Sequence, residues 1–218
     1  MPRTVLLTGF EPFGGESINP SWEAVSALDR ARIAGGLVHA LRLPCLFDDS
    51  LRVLRAEMRG LQPDLIVCVG QAGGRAGVTA ERIAINVDDA RIADNAGRKL
   101  VDAPIVRGGP AAYWSTLPIK AIVAAIGEHG IPAEISQTAG TFVCNHVFYG
   151  LMHTLSRVRR RTRARGGFLH LPFLPEQTRD KGGKPSLSLE RMIEALRLAV
   201  RVSLQRRRDL KVAGGGAS

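Results

Sequence analysis

Two apolar runs, each ending at a glycine, constrain the fold of this chain more than any other feature. Arg3 to Gly9 is rich in branched apolar residues, and Asp64 to Gly70 reads DLIVCVG. Such runs are typical of strands that are buried on both faces of a parallel or mixed sheet. Amphipathic helical patterns follow Asn19-Pro20-Ser21 and cover Asp48 to Gly60. The alternation of strands and helices predicts an α/β fold.

The remaining segments continue this order within one domain. The patterns predict further strands and helices at Leu37 to Leu43, Glu81 to Asn86, Pro118 to Glu128, Ala133 to Gln137 and Ser186 to Leu204. Asp102 to Pro118 contains three prolines, so we expect a loop or flap there. With 218 residues, of which 45% are hydrophobic, the chain can bury a full core. We expect one α/β domain over residues 1–206, followed by a basic and then glycine-rich tail over residues 207–218.

Cysteine usage and apolar run length indicate the cellular compartment. Cys45, Cys68 and Cys144 are an odd number of widely spaced cysteines without a CxxC motif, which argues against a disulfide framework and a structural zinc site. The first residues lack the apolar core of a signal peptide, and no later segment approaches the roughly 20 apolar residues of a membrane span. We therefore expect a soluble, cytoplasmic protein with reduced thiols.

Net charge raises the question of nucleic-acid binding. The chain carries a formal charge of +10, which is concentrated in the runs RVRRRTRAR at 157–165 and RRRDLK at 206–211. Both runs lack the aromatic residues that would stack on bases. We interpret them as solvated basic faces and regard nucleic acid as an unlikely partner, although such runs could support salt-sensitive association with polyanions.

The segment TAGTFVCNHVFY, at 138–149, contains the candidate nucleophile. After Cys144, apolar residues recur at helical spacing, at Val147, Leu151, Leu155 and Val158. Cys144 should therefore lie at or just before the start of a helix. The positive end of the helix dipole favours a thiolate there, and the free N–H groups could stabilise an oxyanion. The alternative is a buried cysteine that acts as a small hydrophobe.

A nucleophilic cysteine needs a base, and the base needs a group that orients it. His170 lies in the predicted strand FLHLPFLPEQ, and Glu81 begins the segment ERIAIN. His146 is closer in sequence to Cys144. On a helix, however, side chains two positions apart project in directions that differ by about 200°, so His146 would point away from Cys144. We therefore rank His170 above His146 as the base and assign Glu81 as the orienting acid. A core role for His170 and a solvated strand end at Glu81 are the alternatives.

Two glycine-rich turns follow the predicted buried strands. GFEPFGG, at 9–15, has the glycine spacing of a phosphate loop but lacks the Lys-Ser/Thr pair, so a nucleotide site is not expected. Phe10 and Phe13 could instead line a small apolar pocket at the sheet edge where α/β proteins bind ligands. GQAGGR, at 70–75, should lie at the same edge.

Arg91, which follows the segment ERIAIN, is either a surface charge or a cation aimed at an oxyanion.

Six segments together resemble the pyroglutamyl peptidase I family, also called pyrrolidone-carboxylate peptidase. They are GFEPFGG with Asn19-Pro20-Ser21, GQAGGR, ERIAIN, DDARIADNAG, GTFVCNHVFYGLMH and GFLHLPFLPEQ. The resemblance covers nearly the whole chain, in order. It implies a cysteine exopeptidase that removes N-terminal pyroglutamate from peptides through a thioester, without metal or cofactor. It also implies a single-domain, three-layer α/β/α sandwich around a mixed, mostly parallel sheet, often assembled as a homotetramer.

The resemblance also assigns roles to individual residues. It implies a triad of Cys144, His170 and Glu81, with Arg91 and the backbone N–H of Cys144 stabilising the oxyanion. The implied substrate-binding residues are Phe10, Phe13, Asn19, Gln71, Ile92, Phe142 and Val143. One departure from the family pattern is Ala93, where proline is usual after Arg-Ile.

Two other classes of protein remain as alternatives. A non-catalytic α/β module could bind acidic partners or nucleic acid through the basic faces, which salt-dependent retention on a polyanion would reveal. A phosphorylase-like enzyme on a similar sheet would need a phosphate site, and the sequence offers none.

Overall fold

The fold is that of a computed structural model, which describes residues 3–157 and 164–213. Its strands are β1 Arg3–Phe10, β2 Arg32–Ile33, β3 Gly36–Leu43, β4 Leu65–Gln71, β5 Val78–Glu81, β6 Ile83–Ile85, β7 Ala112–Trp114, β8 Ala133–Ser136 and β9 Arg165–Leu171. Its α-helices are α1 Pro20–Ser26, α2 Asp49–Leu61, α3 Ile119–Glu128, α4 Val143–Arg157 and α5 Leu189–Gln205. A short 3-10 helix covers Pro175–Gln177.

The main sheet is mixed and mostly parallel. Its strand order is β2-β3-β1-β4-β9-β5-β8, and β6 pairs with β7 in a separate two-stranded sheet. The central pairs β1·β3, β1·β4 and β4·β9 are parallel, as is β5·β8, whereas β2·β3 and β5·β9 are antiparallel. The carboxyl ends of β1, β4 and β9 therefore meet at one edge of the sheet, which is where open α/β sheets bind ligands.

Helices cover both faces of the sheet and make three layers. Alternate residues of β1 enter opposite apolar clusters, with Val5 and Leu7 on one side and Leu6 on the other. The first cluster is completed by α1, α3 and α5, and the second by α2 and α4. Because both faces of the central strands are buried, β4 is apolar up to its last residue, Gln71. The expected α/β/α sandwich is confirmed.

Most predicted elements lie within one or two residues of the observed ones, and three details differ. The predicted strand over Glu81 to Asn86 is divided between the end of β5 and the short β6. The segment expected to be a loop contains β7, which pairs with β6. The two-residue strand β2 was not predicted, because so short an element leaves no periodic signal.

The chain after α5 contacts the body of the domain. Both carboxylate oxygens of Asp209 accept hydrogen bonds from the first turn of α3, from the N–H of Lys120 at 3.0 Å and of Ala121 at 2.9 Å. Residues 214–218 of the tail lie outside the described residues. Within the described part of the chain, no helix is both long and apolar enough to cross a membrane.

Candidate active site

Strand pairing brings three distant parts of the chain to His170. In the parallel pair β4·β9, His170 lies opposite Gly70. In the antiparallel pair β5·β9, it lies opposite Thr79, two residues before Glu81. Side chains two residues apart on a strand point to the same face. The sheet register therefore places Glu81 on the side of β5 from which it can reach His170.

Glu81 and His170 form a buried hydrogen-bonded pair. The Nδ1 of His170 lies 2.8 Å from the Oε1 of Glu81, and the side chains are 4% and 0% exposed. An ionised carboxylate can only accept hydrogen bonds, so Nδ1 is the donor. The ring of Phe168 packs against His170 with centroids 4.8 Å apart. The pair thus leaves Nε2 of His170 as the nitrogen that can exchange a proton with another group.

Arg75 supplies the positive partner of Glu81. Its Nη1 lies 2.6 Å from Oε1 of Glu81 and also donates to the hydroxyl of Thr79. Burial alone would raise the pKa of Glu81. The hydrogen bond from His170 and the charges of His170 and Arg75 outweigh burial, so this pKa lies below its ordinary value. Glu81 is therefore ionised at neutral pH.

Cys144 is the second residue of α4, one residue further into the helix than the sequence predicted. A Cβ built on Gly70 would lie 2.8 Å from the Sγ of Cys144. The sulfur therefore lies against the backbone of β4 at Gly70, the residue that pairs with His170. The N–H groups of the first helical turn have no acceptor within the helix. The side chains of Cys144, His170 and Glu81 are therefore gathered at one place.

The thiol of Cys144 is not ionised by its surroundings alone. Burial, with the nearby Cys45 thiol and the Glu81 carboxylate, raises the pKa of Cys144 well above its ordinary value, and the charge of Arg75 offsets only part of this. The expectation that the helix dipole favours a thiolate is not met, because desolvation dominates. A nucleophilic sulfur thus requires transfer of its proton to a base.

Cys45 and Cys68 serve packing, as expected from the sequence. Both are buried, and burial raises the pKa of each thiol to about 12. Cys144 is the most accessible of the three.

Within residues 3–157 and 164–213, no three histidine, cysteine or acidic side chains are grouped so that they could hold a metal ion.

The two histidines of α4, His146 and His153, have partners of their own. His146 is buried, with Nδ1 2.7 Å from an oxygen of Asp88, and its Nε2 accepts from the N–H of Asp48. Both ring nitrogens of His146 are thus engaged by groups other than Cys144. His153 packs beside Tyr113, with its Nδ1 2.9 Å from the phenol oxygen.

Hydrogen bonds join the segment that carries Arg91 to the start of α4. The side chain of Asn145 accepts from the N–H of Ile85 and donates to the carbonyls of Ile85 and Val87. Thr141 donates its hydroxyl to the carbonyl of Asp89 at 2.6 Å. Arg91 itself is exposed. The extended segment after β6 is thus joined by hydrogen bonds to the start of α4. No pattern in the sequence pointed to this role of Asn145.

Two of the three phenylalanines expected to line a pocket, Phe13 and Phe142, are in ring contact with each other. The rings of Phe13 and Phe142 are 6.1 Å apart, and Phe47 meets Phe142 edge to face at 5.5 Å. Phe13, Ile92 and Phe142 are partly exposed, whereas Phe10 and Val143 are in the core. Phe10 packs on Phe168. The partly exposed side chains are those able to touch a ligand.

Two polar residues from the expected pocket hold loops in place. Asn19 is buried, caps α1 by accepting from Ser21, and donates to the carbonyl of Glu11 in the first glycine-rich loop. Gln71, at the end of β4, accepts a hydrogen bond from Gln177 at 3.0 Å. Direct contact of Asn19 and Gln71 with a substrate remains a prediction.

Comparison with known proteins identifies the family. The family model described as pyroglutamyl peptidase matches residues 3–206. The chain belongs to the pyroglutamyl peptidase family. It is 59% identical over 213 residues to a pyrrolidone-carboxylate peptidase of Erwinia tasmaniensis, covering 98% of both chains. It is 55% identical to pyrrolidone-carboxylate peptidase 1 of Ralstonia nicotianae, over 97% of this chain and 98% of that one.

Solved structures share the fold. The crystal structure of pyroglutamyl peptidase I from Bacillus amyloliquefaciens matches with a TM-score of 0.94 and 51% identity, over 98% of this chain and 100% of that one. Pyrrolidone carboxyl peptidase from Thermococcus litoralis matches with a TM-score of 0.92 and 37% identity, over 97% and 99% of the two chains. The expected family, fold and enzyme class, a cysteine-type peptidase, are thereby confirmed.

One residue of the site in this member of the pyroglutamyl peptidase family, Arg75, was not predicted from the sequence. Arg75 lies in the recognised segment GQAGGR, but no role was assigned to it. Its part in the site depends on the burial of Glu81, which needs a cation nearby and which the sequence pattern did not establish. In the basic run at 157–165, residues 158–163 lie outside the described residues.

Proposed function

We propose that this chain is a cysteine exopeptidase that hydrolyses the bond after an N-terminal pyroglutamyl residue. The observation that carries the proposal is the buried pair of His170 and Glu81 beside the sulfur of Cys144, in a chain of this family. The relatives are named for the same activity, as pyrrolidone-carboxylate peptidases. The catalytic residues proposed are Cys144, His170, Glu81 and Arg91.

The first half of the reaction forms a thioester. Nε2 of His170 takes the proton from the thiol of Cys144, and the sulfur attacks the carbonyl carbon of the pyroglutamyl residue. Glu81, held on Nδ1, stabilises the imidazolium without taking its proton. His170 then gives its proton to the departing amine as the C–N bond breaks. This order suits a Cys144 whose pKa is raised, because the proton leaves the sulfur only toward a base.

Oxyanion stabilisation falls to Arg91 and the N–H of Cys144. Negative charge develops on the carbonyl oxygen, and donors placed around it lower the barrier. The N–H of Cys144 belongs to the first turn of α4, where N–H groups are free. Arg91 is exposed, and the segment that carries it is bonded to Thr141 through Asp89, so its side chain can turn toward a bound substrate.

Water completes the cycle. With the peptide amine gone, His170 removes a proton from water, and the oxygen attacks the thioester carbonyl. The C–S bond breaks, free pyroglutamate leaves, and the proton returns to the sulfur.

Specificity follows from the neutral, flat lactam ring. The proposed pocket residues are Phe10, Phe13, Asn19, Gln71, Ile92, Phe142 and Val143. Partly exposed aromatic rings can bury the faces of the lactam, while a few polar groups satisfy its N–H and C=O. A free glutamyl group would bring a charge into this apolar site and be rejected.

Hydrolysis of a pyroglutamyl amide with a fluorescent leaving group tests the proposal. We expect cleavage of this compound but not of the prolyl and glutamyl analogues, and loss of cleavage after thiol alkylation. Cys144→Ala should abolish turnover, whereas Cys45→Ala and Cys68→Ala remove buried thiols and should keep it. Equal cleavage of the three substrates, or an active Cys144→Ala variant, would contradict the proposal. Absence of cleavage under reducing conditions would instead favour a binding module, tested by salt-dependent retention on a polyanion.

We also propose the cellular and quaternary setting. The protein is proposed to act in the cytoplasm as a homotetramer whose protomers each have one peptidase domain over 1–206 and a tail over 207–218. In the single chain, Val101 and Trp114 are 65% and 66% exposed, which is consistent with apolar surface covered on assembly. Light scattering on the eluting protein measures the oligomer mass, and a monomer would overturn this part.

A further inference from the structure

Arg75 contacts groups from two different parts of the active site. Its Nη1 donates to Oε1 of Glu81 and to the hydroxyl of Thr79, both on β5. Its Nη2 donates to the carbonyl of Thr138 at 3.1 Å, in the segment that leads from β8 to α4 and Cys144. One guanidinium thus joins the strand that carries the acid to the segment that leads to the nucleophile.

We propose that Arg75 is a positioning residue that holds Glu81 against His170 and thereby contributes to the pH dependence of the reaction. The inference rests on the proposed function and adds to it a residue outside the triad and the oxyanion site. Arg75 acts through Glu81, which orients His170, rather than on the substrate.

The geometry requires the fork of an arginine. Oε1 of Glu81 accepts from both Arg75 and His170, at 2.6 and 2.8 Å, so the two donors fix this oxygen from different sides. The second nitrogen of the guanidinium is occupied at the same time by Thr138. A lysine ammonium carries the charge but cannot present two nitrogens in a rigid plane.

Charge around Glu81 explains the expected effect on pH dependence. The groups that face it are His170 from β9, Arg75 from the β4–β5 loop, the Cys144 thiol from α4 and the Ser136 hydroxyl from β8. Glu81 is fully buried, and the Arg75 side chain is 25% exposed, so solvent screens their attraction only in part. A fixed positive charge opposes the binding of a proton nearby. Arg75 therefore helps to keep Glu81 ionised to lower pH.

Two substitutions separate the charge from the geometry. Arg75→Gln removes the charge, so the acid limb of the kcat/KM profile should move to higher pH. Its kcat should fall about tenfold or more, within the roughly 10²- to 10⁴-fold that a positioned acid–base group contributes, with little change in KM. Arg75→Lys keeps the charge, so the acid limb should stay in place while kcat falls less. Arg52→Gln, at an exposed ion pair on α2, is the matched control and should change neither.

The decisive comparison is a double-mutant cycle. In a Glu81→Gln background, Arg75 has no carboxylate to hold, so Arg75→Gln should cost much less kcat there than in the wild type. An equal loss in both backgrounds, or an acid limb that does not move in Arg75→Gln, would overturn the proposal. Arg75→Lys keeps the test open if burial of an unpaired Glu81 prevents the glutamine variant from folding.

A second measurement does not need the substrate. The rate at which iodoacetamide alkylates Cys144 is measured against pH in the wild type, Arg75→Gln and Arg75→Lys. Loss of a nearby positive charge makes every deprotonation in the site harder, so the alkylation profile of Arg75→Gln should also move to higher pH. Failure of the wild type to cleave pyroglutamyl amides would overturn the proposed function alone, because this profile still supports or contradicts the role of Arg75. An unshifted alkylation profile contradicts it.

Discussion

The backbone of Gly70 lies directly against the sulfur of Cys144. A Cβ built on Gly70 would be 2.8 Å from Sγ and 2.9 Å from the ring of Phe168. Gly70 is not among the glycines with positive φ, so space rather than backbone conformation requires glycine there. Its neighbour in the sheet is His170. Glycine at this position is therefore what lets the sulfur of Cys144 approach the strand beside His170.

Gly70→Ala should damage activity more than stability. The added methyl must displace Cys144 or Phe168, and a misplacement near 1 Å can cost about 10²-fold in rate. Overpacking should lower the free energy of unfolding by about 1–3 kcal/mol. Pyroglutamyl amide hydrolysis and urea denaturation measure the two effects. Gly60→Ala is the control, because a Cβ there meets nothing within 4 Å. Full activity in Gly70→Ala would show that the sulfur lies elsewhere.

The fold could be predicted from the sequence because its signals are local. Continuous apolar runs, such as the one that forms β4, and helical spacing after Cys144 each act within a few residues. The six segments that resemble the family, in their order along the chain, also singled out Cys144, His170 and Glu81. Arg75 and Gly70 could not be assigned from local pattern, because their roles arise from contacts between strands. The ionisation state of Cys144 was misjudged for the same reason, since burial is set by packing and not by position on a helix.

Glu81→Gln should reduce kcat less than His170→Ala, because in the proposed mechanism Glu81 orients the base and does not exchange the proton.

Glu81 also links stability to pH. Its pKa in the folded protein lies below the ordinary value of 4.5, so its stabilising contribution is complete above that value and is lost as the pH falls further. Urea denaturation between pH 3 and 7 should therefore show a smaller loss of stability on acidification for Glu81→Gln. A steeper loss than in the wild type would contradict this assignment.

The buried thiols should make the protein less stable at high pH. Cys45 and Cys68 have a pKa of about 12 in the folded protein, against an ordinary 9.0. The folded state therefore holds protons that the unfolded chain releases, and the free energy of unfolding falls as the pH rises from 9 toward 12. Cys68→Ala should flatten this decline relative to the wild type in urea denaturation at pH 8 to 10.5. An identical pH dependence in both proteins would show that Cys68 does not contribute.

Asp209 should stabilise the domain from beyond the last helix. Pro118, the N-cap of α3, has no side-chain acceptor, and the Asp209 carboxylate takes that place by accepting from the N–H groups of Lys120 and Ala121. Removing such a cap costs about 0.5–2 kcal/mol, so Asp209→Ala should lower Tm, and Asp209→Asn, which keeps one acceptor, should lower it less. Because α3 packs on the opposite face of the sheet from α4, kcat should not change. A chain that ends at residue 206 should lose as much stability as Asp209→Ala. If both variants melt with the wild type, residues 207–213 act only as an appended tail.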